Sequence, residues 1–123
     1  MRKEVYFKTE YQISGNKPIY LTVVIGQGQP GSSSVTLNDD AVADGIITNQ
    51  LIGNGSDIIR KVLHAITIVN DYQINTNNTT VKYFLSGGLE EKIYTLNATV
   101  DVDGDTVTYN FNLTFIEWGD GYE

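Results

Sequence analysis

Cysteine is absent from this sequence, so the chain forms no disulfide and offers no thiolate for catalysis or metal binding. Tryptophan and histidine occur once each, and proline occurs twice. Because His64 is the only histidine, a catalytic triad with a neutral-pH base would depend on this one side chain. No apolar run is long enough to span a bilayer, and we expect no membrane insertion.

Positive charge is also scarce, with 8 Lys and Arg against 15 Asp and Glu and a formal net charge of −7. Such an acidic chain repels phosphate groups, so we expect no nucleic acid partner. The charged residues 1–4 lead into alternation and not into an apolar signal segment. We expect a secreted or cell-surface protein, of bacterial origin, whose leader has been removed; a cytoplasmic protein is the alternative.

The clearest positive signal is strict alternation of polar and apolar residues near the C-terminus. It is strict over residues 106–115, and a similar alternation covers residues 93–100, as in strands with one buried face. The pair Asp103-Gly104 between them favours a two-residue type I′ turn. With this pair at the centre of the turn, apolar residues of the two strands oppose each other, for example Leu96 and Phe111. The sequence therefore predicts a β-hairpin here.

Weaker patterns predict further strands with turn signals between them. In the first strand, Val5, Phe7, Tyr11 and Ile13 share one face, and Pro18 opens a second strand that is expected inside a sheet. The remaining predicted strands cover residues 35–37, 46–52 and 80–85. Loops or turns are expected at 26–34, 38–45 and 70–78, and a frayed tail at 117–123.

Residues 56–72 allow two interpretations. Ser56 could cap a helix with an apolar face, whereas the many β-branched residues favour a strand. We choose a strand from Lys61 to Asn70, buried on both faces. The whole chain, 1–123, is then predicted to be a single all-β domain, a two-layer antiparallel β-sandwich of about seven or eight strands, immunoglobulin-like or related.

Two motifs resemble ligand-binding loops. Residues 26–31 match G-x-G-x-x-G, but Pro30 interrupts the motif and no helix is predicted to follow, so we interpret it as a loop between strands. Asp101, Asp103 and Asp105 resemble the start of a calcium loop but lack the distal Glu. We therefore expect no cofactor, with adventitious calcium at these three residues as the alternative.

Aromatic side chains suggest a weak ligand site. Trp118 follows the last predicted strand, and alternation turns Tyr6, Tyr20 and Tyr72 outward. Exposed rings of this kind can stack on sugars, although they can equally rim the core of a sandwich. Trp118, Tyr20 and Tyr72 are accordingly our candidate carbohydrate-binding residues.

From the sequence we expect a non-catalytic module that binds or assembles through loops or sheet edges. Its partner would be another protein or a second copy, and the loops 26–34 and 70–78 would form the binding end. A carbohydrate-binding module is the first alternative. A hydrolase that uses His64 is the second, set against His64 as an ordinary residue on a sheet face.

Overall fold

The computed structural model describes residues 2–26, 30–70, 78–99 and 106–118. These residues form nine strands and one short helix. In chain order the elements are β1 (Arg2–Ile13), β2 (Pro18–Ile25), β3 (Gly31–Leu37), β4 (Asp40–Gly45), β5 (Gln50–Asn54), α1 (Gly55–Ile58), β6 (Val62–Asn70), β7 (Asn78–Ser86), β8 (Lys92–Thr99) and β9 (Thr106–Glu117).

The strands form two sheets, which confirms the all-β prediction. One sheet has five strands in the order β1-β9-β6-β3-β4, and the other has four in the order β5-β2-β7-β8. The pairing of β1 with β9 is parallel, whereas the other pairs are antiparallel. The predictions of a purely antiparallel fold and of about seven or eight strands were therefore wrong in these two details.

Alternation located several strands correctly. In β1, Tyr11 and Ile13 are buried and the intervening residues are more exposed. Strand β2 begins at Pro18 and lies between β5 and β7, as predicted for an interior strand. At Lys61–Asn70 the strand prediction is confirmed by β6, and the alternative helix exists only as the single turn α1.

The predicted hairpin between residues 93–100 and 106–115 was wrong. Strand β8 pairs with β7 in the four-stranded sheet, and β9 pairs with β1 and β6 in the other. Strand β8 buries one face, as the alternation indicated, whereas β9 is buried on both faces over residues 107–111 because it lies between β1 and β6. The apolar faces of β8 and β9 meet across the space between the sheets, because alternation defines a buried face but does not say which strand lies beside it. Asp103-Gly104 itself lies outside the described residues.

Other boundaries also need correction. Residues 31–34 belong to β3 and not to a loop, and the predicted turn 38–45 contains the strand β4. Asn38 and Asp39 join these strands with φ of 48° and 71°, the positive values that a type I′ turn requires. Strand β6 buries one face only. At the C-terminus, Glu117 is the last residue of β9, and the Trp118 amide donates to the Ile13 carbonyl (2.8 Å).

Aromatic rings in the core connect the two sheets. The rings of Tyr83 in β7 and Phe111 in β9 stack with centroids 4.2 Å apart, and both side chains are fully buried. Phe7 and Tyr94 pack against the same Phe111 ring, at 5.8 and 5.5 Å. The buried faces of the two sheets therefore belong to one hydrophobic core.

A layer of hydroxyl groups crosses this core. The Tyr83 hydroxyl donates to Thr67 Oγ1 (2.7 Å), and Thr67 Oγ1 lies 2.8 Å from Ser33 Oγ. Beside them, the hydroxyl groups of Thr79 and Tyr109 share a hydrogen bond. Burial raises the pKa of Tyr83 and of Tyr109 above the ordinary tyrosine value, so both phenols keep their protons to more alkaline pH than an exposed tyrosine does.

Candidate functional site

The outer face of the four-stranded sheet carries apolar side chains that the core does not use. Since Ile19 and Leu21 point inward, alternation turns Tyr20 outward, and the same rule applies along β5, β7 and β8. Four of these side chains are well exposed: Tyr20 (37%), Val24 (44%), Leu51 (49%) and Ile93 (60%). Half-buried Phe84 lies between them.

Strand register brings these residues together. Tyr20 pairs with Leu51 on one side and with Ser86 on the other. We use the word row for the outward-facing residues that lie side by side across the strands. In the row next to that of Tyr20, Phe84 pairs with both Thr22 and Ile93. We call the residues Tyr20, Val24, Leu51, Phe84 and Ile93 the outer apolar patch.

A groove of about 640 Å³ lies over this patch. Tyr20, Val24, Phe84 and Ile93 provide its apolar surface, and its polar lining comes from Thr22, Asn49, Ser86, Glu91 and Lys92. The backbone amide of Asn49 donates a hydrogen bond to Thr22 Oγ1 (2.9 Å), which holds Asn49, at the wall of the groove, against Thr22 on its floor. An apolar floor with a few polar groups around it is the usual composition of a binding surface.

Tyr11 positions one rim of the groove although it lies in the other sheet. Its hydroxyl accepts a hydrogen bond from the Gly88 amide (3.0 Å) and donates one to the Glu90 carbonyl (2.8 Å). The Leu89 amide donates to the Gln12 carbonyl (2.9 Å) in the same region. The connection that precedes Glu91 is therefore held against the end of β1.

The outer face carries charge of both signs on either side of the apolar patch. Lys82 is exposed between Val24 and Thr95, one row from Phe84. Exposed Glu91 lies on the other side of Phe84, immediately before β8 begins. Lys92 forms an ion pair with Glu90 (2.9 Å), so its positive charge is compensated by a neighbouring carboxylate.

The predicted carbohydrate-binding residues do not share one surface. Tyr20 lies in the groove. Trp118 is exposed directly after β9 and does not line the groove. Tyr6 is exposed on the outer face of the five-stranded sheet, on the opposite side of the molecule. Tyr72 and the predicted calcium residues Asp101, Asp103 and Asp105 lie outside the described residues.

His64 lies half-buried on the outer face of β6, with Thr36 and Asn112 beside it in register. It lines an open groove of about 490 Å³ that also contains Asn38, Asp39 and Val62. His64 therefore occupies an ordinary position on the outer face of a sheet. Within the described ranges, no three His, Asp or Glu side chains are grouped as metal ligands.

The two loops predicted to form the binding end start from the same end of the molecule. Ile25 lies beside Val81, and the Asn70 amide donates to the Pro30 carbonyl (2.9 Å), so described residues that flank the two loops lie close together. Asn78 in turn pairs with Thr99, and Asn70 with Thr106. The centres of these loops, including residues 27–29 of the G-x-G-x-x-G motif, lie outside the described residues.

Sequence reasoning found Tyr20 but missed Phe84 and Ile93. Both alternate outward in strands that were predicted, and an apolar residue on the polar face was the available signal. Comparison of the chain with models of known families, with curated proteins and with solved structures found no match. In the part of the chain that the structure describes, no helix has the length and apolar character needed to cross a bilayer.

Proposed function

We propose that this protein is a non-catalytic binding and assembly module that uses the outer face of its four-stranded sheet. The observation that supports the proposal is the outer apolar patch: Tyr20, Val24, Phe84 and Ile93 line one groove, and Leu51 lies beside Tyr20. Exposed apolar residues are ordinary when scattered, but a continuous patch with a polar rim is typical of an interaction surface.

The architecture that we propose for this module is a two-layer β-sandwich of the wider immunoglobulin-related kind. The stacked rings of Tyr83 and Phe111 support a face-to-face arrangement of the sheets. The strand order differs from that of an immunoglobulin constant domain, in which the last two strands share a sheet. Here β8 and β9 lie in different sheets.

The binding surface can be located with small organic probes, isopropanol and phenol, in amide-resolved NMR titrations of the intact protein. We expect the largest shift changes at Tyr20, Thr22, Phe84 and Ile93, because apolar probes collect where an apolar floor is concave. Replacing Phe84 by Ser should weaken probe binding at these amides about tenfold, since it removes an aromatic side chain worth about 1.5–3 kcal/mol.

Shifts that cluster around His64 and Asn112 instead would contradict the proposal. So would shifts scattered over the surface, with no concentration at the groove. Tyr6→Ser is the matched control, because it removes an exposed ring from the opposite outer face.

Carbohydrate binding in the same groove is a second candidate function. It is favoured by Tyr20, whose ring is exposed among the hydroxyl and amide groups of Thr22, Asn49 and Ser86. Sugars combine an apolar C–H face with many hydroxyl groups, and such a mixed lining matches both. Trp118 is not part of this groove, so the candidate now rests on Tyr20.

Affinity electrophoresis in gels that contain neutral polysaccharides tests this candidate. We expect retarded migration that Tyr20→Ala abolishes, since loss of one stacked ring costs about tenfold or more in affinity. Tyr6→Ala and Trp118→Ala should remain retarded. Equal migration of the wild type in all gels would remove carbohydrate binding from consideration.

A further inference from the structure

We propose that the outer apolar patch binds the same patch of a second copy of this chain, which forms a two-fold symmetric dimer. This inference rests on the proposed function and names the partner of that surface. A two-fold interface requires a surface that is complementary to itself, so that each contact occurs twice. The distribution of apolar and charged residues over the face meets this requirement.

The rows of the sheet show which two-fold axis fits. Phe84 lies in the middle row, with Tyr20 in the row before it and Val24 in the row after it. An axis across the strands at Phe84 brings Phe84 against its copy and Tyr20 against Val24 of the second chain. In the middle row Ile93 also lies against its copy, and Thr22 is the polar residue that meets its own copy there.

Charge supports the same axis. It brings Lys82 of one chain opposite Ser86 of the other, one strand away from the second chain's Glu91. An axis along β7 would instead bring Lys82 against Lys82 and Glu91 against Tyr20. Like charges facing each other are strongly unfavourable, so the axis across the strands is favoured over the axis along β7.

Sedimentation equilibrium of the full chain from micromolar to millimolar concentration tests the dimer. We expect a monomer–dimer equilibrium at physiological ionic strength, where screening acts over about 8 Å. Lys82→Glu and Glu91→Lys should each weaken association about tenfold, and the double variant should restore it to within about threefold of the wild type. Lys8→Glu, the same charge change on the opposite outer face, should leave association unchanged.

A wild type that stays monomeric at millimolar concentration would overturn the dimer, as would a double variant no better than either single variant. All substitutions are at exposed positions, and circular dichroism shows whether each variant is folded. The organic-probe titration separates the two proposals when it is run on Lys82→Glu, in which the second copy is expected to leave the patch uncovered. If the wild type is monomeric but the probes still bind at Tyr20 and Phe84, only the dimer is excluded. If the probes bind elsewhere, the binding surface itself is excluded.

Discussion

Replacing Phe111 by Ala should lower the free energy of unfolding by about 3–5 kcal/mol, the range for removing a large aromatic side chain from a packed core. Phe111 is fully buried in β9, and its ring contacts the rings of Tyr83, Phe7 and Tyr94. Because Tyr83 and Tyr94 belong to the other sheet, the cavity would form between the two layers. Urea unfolding followed by circular dichroism measures the loss.

Phe84→Ala is the matched control, since it removes the same side chain from the outer face of the sheet, where Phe84 is only half-buried. We expect it to cost clearly less, about 1–2 kcal/mol. If Phe111→Ala proves too unstable to purify, Phe111→Leu keeps most of the volume and should cost about 1–1.5 kcal/mol. Equal losses for Phe111→Ala and Phe84→Ala would contradict the role of Phe111 between the sheets.

Replacing Gly87 by Ala should cost about 3 kcal/mol or more, from two causes that add. Gly87 has a φ of +98°, a left-handed conformation that side chains disfavour. A Cβ at this position would also lie 1.9 Å from the Pro18 carbonyl oxygen, so the backbone must move. Thermal or urea unfolding measures the loss.

Gly45→Ala separates the two causes, because Gly45 has the same φ of +98° but nothing within 4 Å of an added Cβ. We expect this control to cost about 1 kcal/mol, the conformational part alone. A Gly87→Ala variant no less stable than Gly45→Ala would show that the connection after β7 does not approach Pro18 as described. The Tyr11 contacts that hold this connection would then be in doubt as well.

Much of the strand content could be predicted because burial on one face produces alternation in the sequence. Val81, Tyr83 and Leu85 share a face and are buried, as expected. Pairing could not be predicted in the same way. Leu96 and Phe111 both point into the core, and the sequence is equally compatible with two neighbouring strands and with two strands in opposite sheets.

The candidate site could not be predicted in full for the same reason: alternation does not say which strands lie side by side. Outward alternation identified Tyr20, but the groove exists because β5, β2, β7 and β8 lie side by side in that order. Ile93 is 73 positions beyond Tyr20 in the numbering, and both line one surface through register alone. Trp118, chosen because it follows the last predicted strand, and Tyr6, predicted to point outward, lie elsewhere because exposure does not say which surface a residue belongs to.

The most direct test is a measurement of interstrand Hα and amide proton contacts by nuclear Overhauser spectroscopy. With β8 in the four-stranded sheet, Ile93 should show contacts to Phe84, and Phe111 should show contacts to Ala65. Those contacts place Ile93 in the groove beside Phe84. Backbone contacts between Leu96 and Phe111 instead would show that β8 and β9 form a hairpin, and the outer apolar patch would not exist in the form described.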